Sequence, residues 1–165
     1  KDRIKMTEAA PKAETKAKSG KGSLKARKTA ARLLAVQAVY QALQNQVPPA
    51  SLYEEYILYR KGMEIDGEQM VEADVQMFQN LMSGVTDRWG DIQQLIKPRT
   101  EKIGKVENLL ASILICGAYE ILAHTKIDTP IIINDYLNIT VGFFDGNEPK
   151  LVNGILDALA KEVRQ

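Results

Sequence analysis

Lys25, Arg27, Lys28 and Arg32 are the densest group of anion-binding side chains in the sequence, and they open the stretch KARKTAARLLAVQAVYQ. At 100° per residue Lys25, Lys28 and Arg32 share one helix face, and the same stripe continues as Val36, Val39 and Leu43. If Val36, Val39, Tyr40 and Leu43 face a core, the basic turns on that side must project beyond it, because an unpaired buried cation costs several kcal/mol. The four cations also stand at the positive end of a helix dipole, where acidic residues are favoured. Two readings remain open: a merely solvated helix start, or a wall built to hold an anion.

Other reactive residue types are sparse. Cys116 lies within LLASILICGAYEIL and reads as a buried, inert thiol. His124 reads as a capping or solvent-exposed group at a helix end, and one His with one Cys makes no zinc ligand set. Neither a Gly-rich phosphate loop nor GxSxG nor HExxH occurs, and Glu54, Glu55 and Asp135 read as solvated carboxylates. A binding protein without catalysis, metal or cofactor is expected.

Charge supports a binding role. Residues 1–32 hold 11 of the 22 Lys and Arg but 3 of the 21 Asp and Glu, a balance of +8 against −7 for the remainder. A basic arm on an acidic body suits an anionic partner at one end. Residues 1–22 are poor in large apolar side chains and are expected to form a disordered basic tail, with one folded domain over 23–165. The longest apolar run is about half a bilayer span, and no apolar signal segment opens the sequence. A reducing, soluble, cytoplasmic setting without membrane contact follows as the expectation.

The elements that must position these residues read as helices throughout. Ser23 is the expected cap of a first helix reaching about Gln44 before Pro48 and Pro49. Ser51 with Glu54 predicts a capping box for a second helix carrying Leu52, Tyr56 and Tyr59 and ending near Gly62. Val75, Phe78, Leu81, Met82 and Val85 continue through Trp89, Ile92 and Ile96 to Pro98, with Gly84 and Gly90 dividing the run into two helices. Val106 to Ala123 is apolar on most sides and should be central.

In DTPIIINDYLNITVGFF, Thr129 is the expected cap and Pro130 the first helical residue, with Ile133, Leu137 and Val141 inward despite the β-branched run. A last helix buries Leu151, Val152, Ile155, Leu156 and Leu159, and Gly154 within it predicts a close helix crossing. Phe143 and Phe144 are either core or, for one of them, an exposed stacking platform. No strand of alternating period appears, so the class is all-α.

Together, RKTAARLLAVQAVY, DVQMFQNLMSGV, TPIIINDYLNI and LVNGILD resemble the NusB family over about residues 25–160. The resemblance implies a fold of about six to seven helices in two packed bundles. It implies a bacterial transcription antitermination factor that binds boxA RNA of rRNA leaders with NusE, a small-subunit ribosomal protein, in the elongating RNA polymerase complex with other Nus factors. Carried onto this sequence, the RNA-contacting start falls on Lys28, Thr29 and Arg32, with Lys25 and Arg27 just ahead. Lys28, Thr29 and Ala30 stand where members commonly stack arginines, so point charges replace bidentate forks.

Asn134 and Asp135 match an Asn-acid pair, Val141 replaces a common Lys, Phe143 takes an aromatic position near RNA, and Lys150 a basic one before Val-Asn-Gly. Glu107 falls in the region resembling the NusE-contacting surface. The alternative is a protein adaptor or regulatory domain related to the N-terminal part of an rRNA cytosine methyltransferase. No methyltransferase segment reads from these residues, so the free-standing factor is expected.

Overall fold

Ser23 starts the first helix as expected: its hydroxyl accepts from the Ala26 N–H at 3.0 Å, and α1 runs Leu24–Asn45. It ends where Gln46 turns left-handed (φ 58°) ahead of the two prolines. The structure is a computed structural model that describes residues 22–59, 64–65, 68–69 and 71–164. The basic tail, except for Gly22, and the helix end near Gly62 therefore lie outside the described residues.

Ser51 does not form a capping box. Its hydroxyl donates to the Pro48 carbonyl at 2.7 Å inside a 3-10 turn, Pro49–Leu52, and α2 follows as Tyr53–Tyr59. Proline-set backbone angles favour this tighter turn before the helix. Glu64–Ile65 (β1) and Glu68–Gln69 (β2) pair antiparallel over two residues each, too short to carry a core. The class is all-α.

Asp74 caps α3, Val75–Asp87, by accepting from the Met77 N–H at 3.1 Å. Phe78, Leu81, Met82 and Val85 are buried at the expected spacing. The break before α4, Trp89–Thr100, falls on Arg88 (φ −104°, ψ 22°) and not on a glycine. Gly84 lies inside α3 because the Tyr119 hydroxyl occupies the space where its Cβ would stand. Gly90 lies within the first turn of α4 with open space beside it. The helix also passes Pro98, which in the last turn costs only one backbone bond, to the Gln94 carbonyl.

Central position goes to α5, Asn108–Ala123, which packs against α1, α3, α4, α6 and α7. Ile113, Leu114, Cys116 and Ile121 are fully buried there. On one side lie α1, α2 and α3; on the other lie α4, α6 (Thr129–Phe143) and α7 (Glu148–Val163), so two helical sets share one axis.

The cap of α6 is Asp128, and the Thr129 hydroxyl instead accepts from Arg164 at 3.2 Å. Its inward face is Ile132, Ile133, Tyr136, Ile139 and Thr140, while Val141 is exposed and Leu137 half-buried. Four-residue steps drift off a 3.6-residue face, so the expected inward Val141 rotates out. In α1 the stripe holds for Val36 and Val39, but Tyr40 is largely at the surface.

Of the five residues expected inside α7, Val152, Ile155, Leu156 and Leu159 are buried and Leu151 is half-buried. Gly154 is not at a crossing: it is exposed, and an added Cβ would meet nothing within 4 Å. The close approach is made by Gly117 of α5, whose Cβ would lie 2.9 Å from Leu156. Gly154→Ala should therefore stabilise the fold by about 0.5–1 kcal/mol through helix propensity alone. Urea unfolding of the two proteins checks it, and a loss of stability would place a hidden contact at Gly154.

Candidate nucleic-acid interface

Arg32 corrects the expectation of a projecting basic face, because its side chain is buried (4% exposed) between α5 and α6. Its Nε and Nη2 donate to the two Glu120 carboxylate oxygens at 2.6 and 2.9 Å, and Nη1 donates to Asp135 at 2.7 Å. A buried cation is tolerable when paired in this forked geometry with its remaining donors satisfied. The Tyr136 hydroxyl also donates to Glu120 at 2.6 Å, and His124 Nδ1 lies 2.9 Å from its other oxygen. His124 Nε2 in turn meets Asn80 Oδ1 at 2.7 Å, which carries the network to α3.

Burial by itself would raise the Glu120 pKa, but hydrogen bonds from His124, Arg32 and Tyr136 and the Arg32 charge lower it to about 2. Burial likewise pulls the Arg32 pKa down, and the Glu120 carboxylate outweighs it to push the value up. Tyr136 is pushed well above its ordinary value, first by burial and then by Glu120. These groups stay charged or neutral as drawn and form a structural clasp.

Above the clasp, the front of α1 and the first half of α6 enclose an open groove of about 870 Å³. Lys25 and Lys28 of α1, Lys126 of the α5–α6 loop, and Asn134 and Asn138 of α6 all line it. Among the described residues none of the three lysines has an ion pair or side-chain hydrogen bond, which leaves their charges available to an anion. Thr29 lines the groove, but its hydroxyl donates to Asp135 at 3.0 Å and so ties α1 to α6.

The remaining expected residues do not gather there. Arg27 is half-buried, does not line the groove, and its Nε is enclosed without a hydrogen-bond partner. Phe143 is exposed (40%) while Phe144 packs on the core, but Phe143 ends α6 about 12 Å beyond Asp135 along the helix axis. Lys150 is exposed in the first turn of α7. Neither Phe143 nor Lys150 borders the groove. Glu107 is exposed at the N-cap of α5 without a capping bond, about 20 Å from Glu120 at the other end of that helix.

Two residues were missed from the sequence. Lys126 sits in an unremarkable loop, HTKIDTP, and carries no signal of its own. Glu120 did carry one: a single carboxylate within LLASILICGAYEIL implies a buried partner. No helix among the described residues is long and apolar enough to cross a membrane.

Comparison with known proteins agrees with this architecture. The family model described as the NusB family matches residues 29–161. The transcription antitermination protein NusB of Novosphingobium aromaticivorans is 39% identical over 140 residues, covering 83% of this chain and 95% of that protein. Its counterpart in Bartonella tribocorum is 34% identical over 138 residues, covering 82% and 88%. The solved structure of T. maritima NusB superposes with a TM-score of 0.68 at 21% identity, over 84% of this chain and 93% of that one, a likeness of fold.

Proposed function

The chain belongs to the NusB family, whose relatives are named as transcription antitermination proteins, and from that premise we propose that it binds boxA RNA of rRNA leaders. It does so together with the ribosomal protein NusE, within the elongating RNA polymerase complex and its other Nus factors, in the bacterial cytoplasm and without catalysing a reaction. The observation that carries the RNA reading is the groove itself, which gathers Lys25, Lys28 and Lys126, without an ion pair among the described residues, beside exposed Asn134 and Asn138. Lysines along the groove suit phosphates of a single strand, and exposed amides suit base edges. Glu107, at the far end of α5, remains the proposed contact for NusE. A strand on the lysines and a protein at Glu107 would not compete for space.

The test is binding of boxA RNA and a scrambled control at several salt concentrations. If Lys25 and Lys28 each neutralise one phosphate, replacing both by Ala should lower the log–log salt slope by about 1.4, at roughly 0.7 per phosphate on a single strand. Circular dichroism should show an unchanged fold. Parental affinity and slope in the folded double variant would remove the groove from RNA binding and favour the adaptor role.

A further inference from the structure

We propose that a pocket between the start of α3 and the α5–α6 loop receives one nucleobase turned out of the RNA strand. The proposal rests on the RNA reading above. The pocket measures about 530 Å³ and joins the groove, sharing Lys28, Lys126 and Ile127 with it. Its size falls in the range of about 300–1,000 Å³ occupied by small-molecule sites. Met77, Ala123 and Ile127 supply apolar surface against which a flat ring can pack.

The polar groups favour a base over a phosphate. Asn80 Oδ1 accepts from the Tyr119 hydroxyl at 3.3 Å and lies 2.7 Å from His124 Nε2, which fixes the amide in the pocket lining. Exposed Gln76 offers both a donor and an acceptor. Asp74 places a carboxylate in the lining, which repels a phosphate and accepts from the amino or imino N–H of a base. The shared lysines then hold the backbone at the lip while the ring enters. Single-stranded RNA is commonly read in this way, by unstacked bases set on side chains and bonded along their edges.

The experiment uses the full chain, intact boxA RNA, and a set of the same RNA in which each position in turn lacks its base. Two variants alter the pocket without touching the lysines: Ala123→Met, which fills the floor, and Gln76→Ala, which removes a polar edge at an exposed position. Ala123→Met should weaken binding to intact RNA about tenfold, the effect of losing one stacked base, with an unchanged salt slope. On one abasic RNA, variant and parent should bind alike. Gln76→Ala should show a smaller loss that vanishes at the same position, and it decides the matter if Ala123→Met does not fold.

A loss of equal size on every abasic RNA, or no loss for either variant, overturns the pocket while leaving the groove in place. A parent that binds boxA and scrambled RNA equally, with a slope indifferent to Lys25 and Lys28, overturns the RNA reading itself.

Discussion

Arg32→Ala should lose about 3–5 kcal/mol of folding stability, the cost of leaving buried carboxylates without their countercharge. Glu120 has no exposed surface and Asp135 is 8% exposed, so Arg32 supplies the countercharge that their burial requires. Arg32→Lys should recover only part of the loss, because one ammonium cannot reproduce a fork that spans Glu120 and Asp135. Lys28→Ala, which removes no pairing, should stay within about 0.5 kcal/mol of the parent. Urea unfolding separates these cases. An Arg32→Ala protein with parental stability would mean that the clasp does not hold the three helices together.

The same clasp gives folding a defined acid dependence. The Glu120 carboxyl has its pKa lowered from 4.5 to about 2, so the folded state favours the charged form more than the unfolded chain does. Its contribution is fully present above pH 4.5 and is lost as pH falls towards 2, on the order of 3 kcal/mol over that window. Other carboxylates titrate there too, so the measurement is the difference between parent and Glu120→Gln in urea unfolding from pH 7 to pH 2. That difference should shrink as acid is added, because Gln resembles the protonated acid. A difference constant across the window would show that Glu120 is not held charged by its partners.

Much of the fold was legible in the sequence because its signals are local. Ser23 caps within three residues, and the run through Cys116 is apolar on nearly every side, so α1 and the central α5 were readable. Asp-Thr-Pro marked a helix start strongly enough to outweigh three β-branched isoleucines in α6.

What failed was non-local. The stripe that joins Arg32 to Lys25 and Lys28 is real, but its environment changes along the helix, and Glu120 and Asp135 lie 88 and 103 residues away. Gly154, Gly117 and Gly84 look alike in sequence, yet only the last two have a neighbour where a Cβ would stand. Groove and pocket depend on a loop carrying Lys126 into the same two linings as Lys28, which no helical period records.

Burial of Arg32 also determines which charges the groove leaves for a ligand. Within the groove lining the Arg32 charge is taken up by Asp135 and, behind it, by Glu120, and Asp128 adds a further carboxylate. Lys25, Lys28 and Lys126 are therefore the lining cations left without an ion pair among the described residues. A polyanion entering the groove would be attracted by these three and repelled by Asp128 in the same lining. Under the proposed RNA role, this contrast would hold the charged backbone at the lysines and favour uncharged base edges beside the carboxylate.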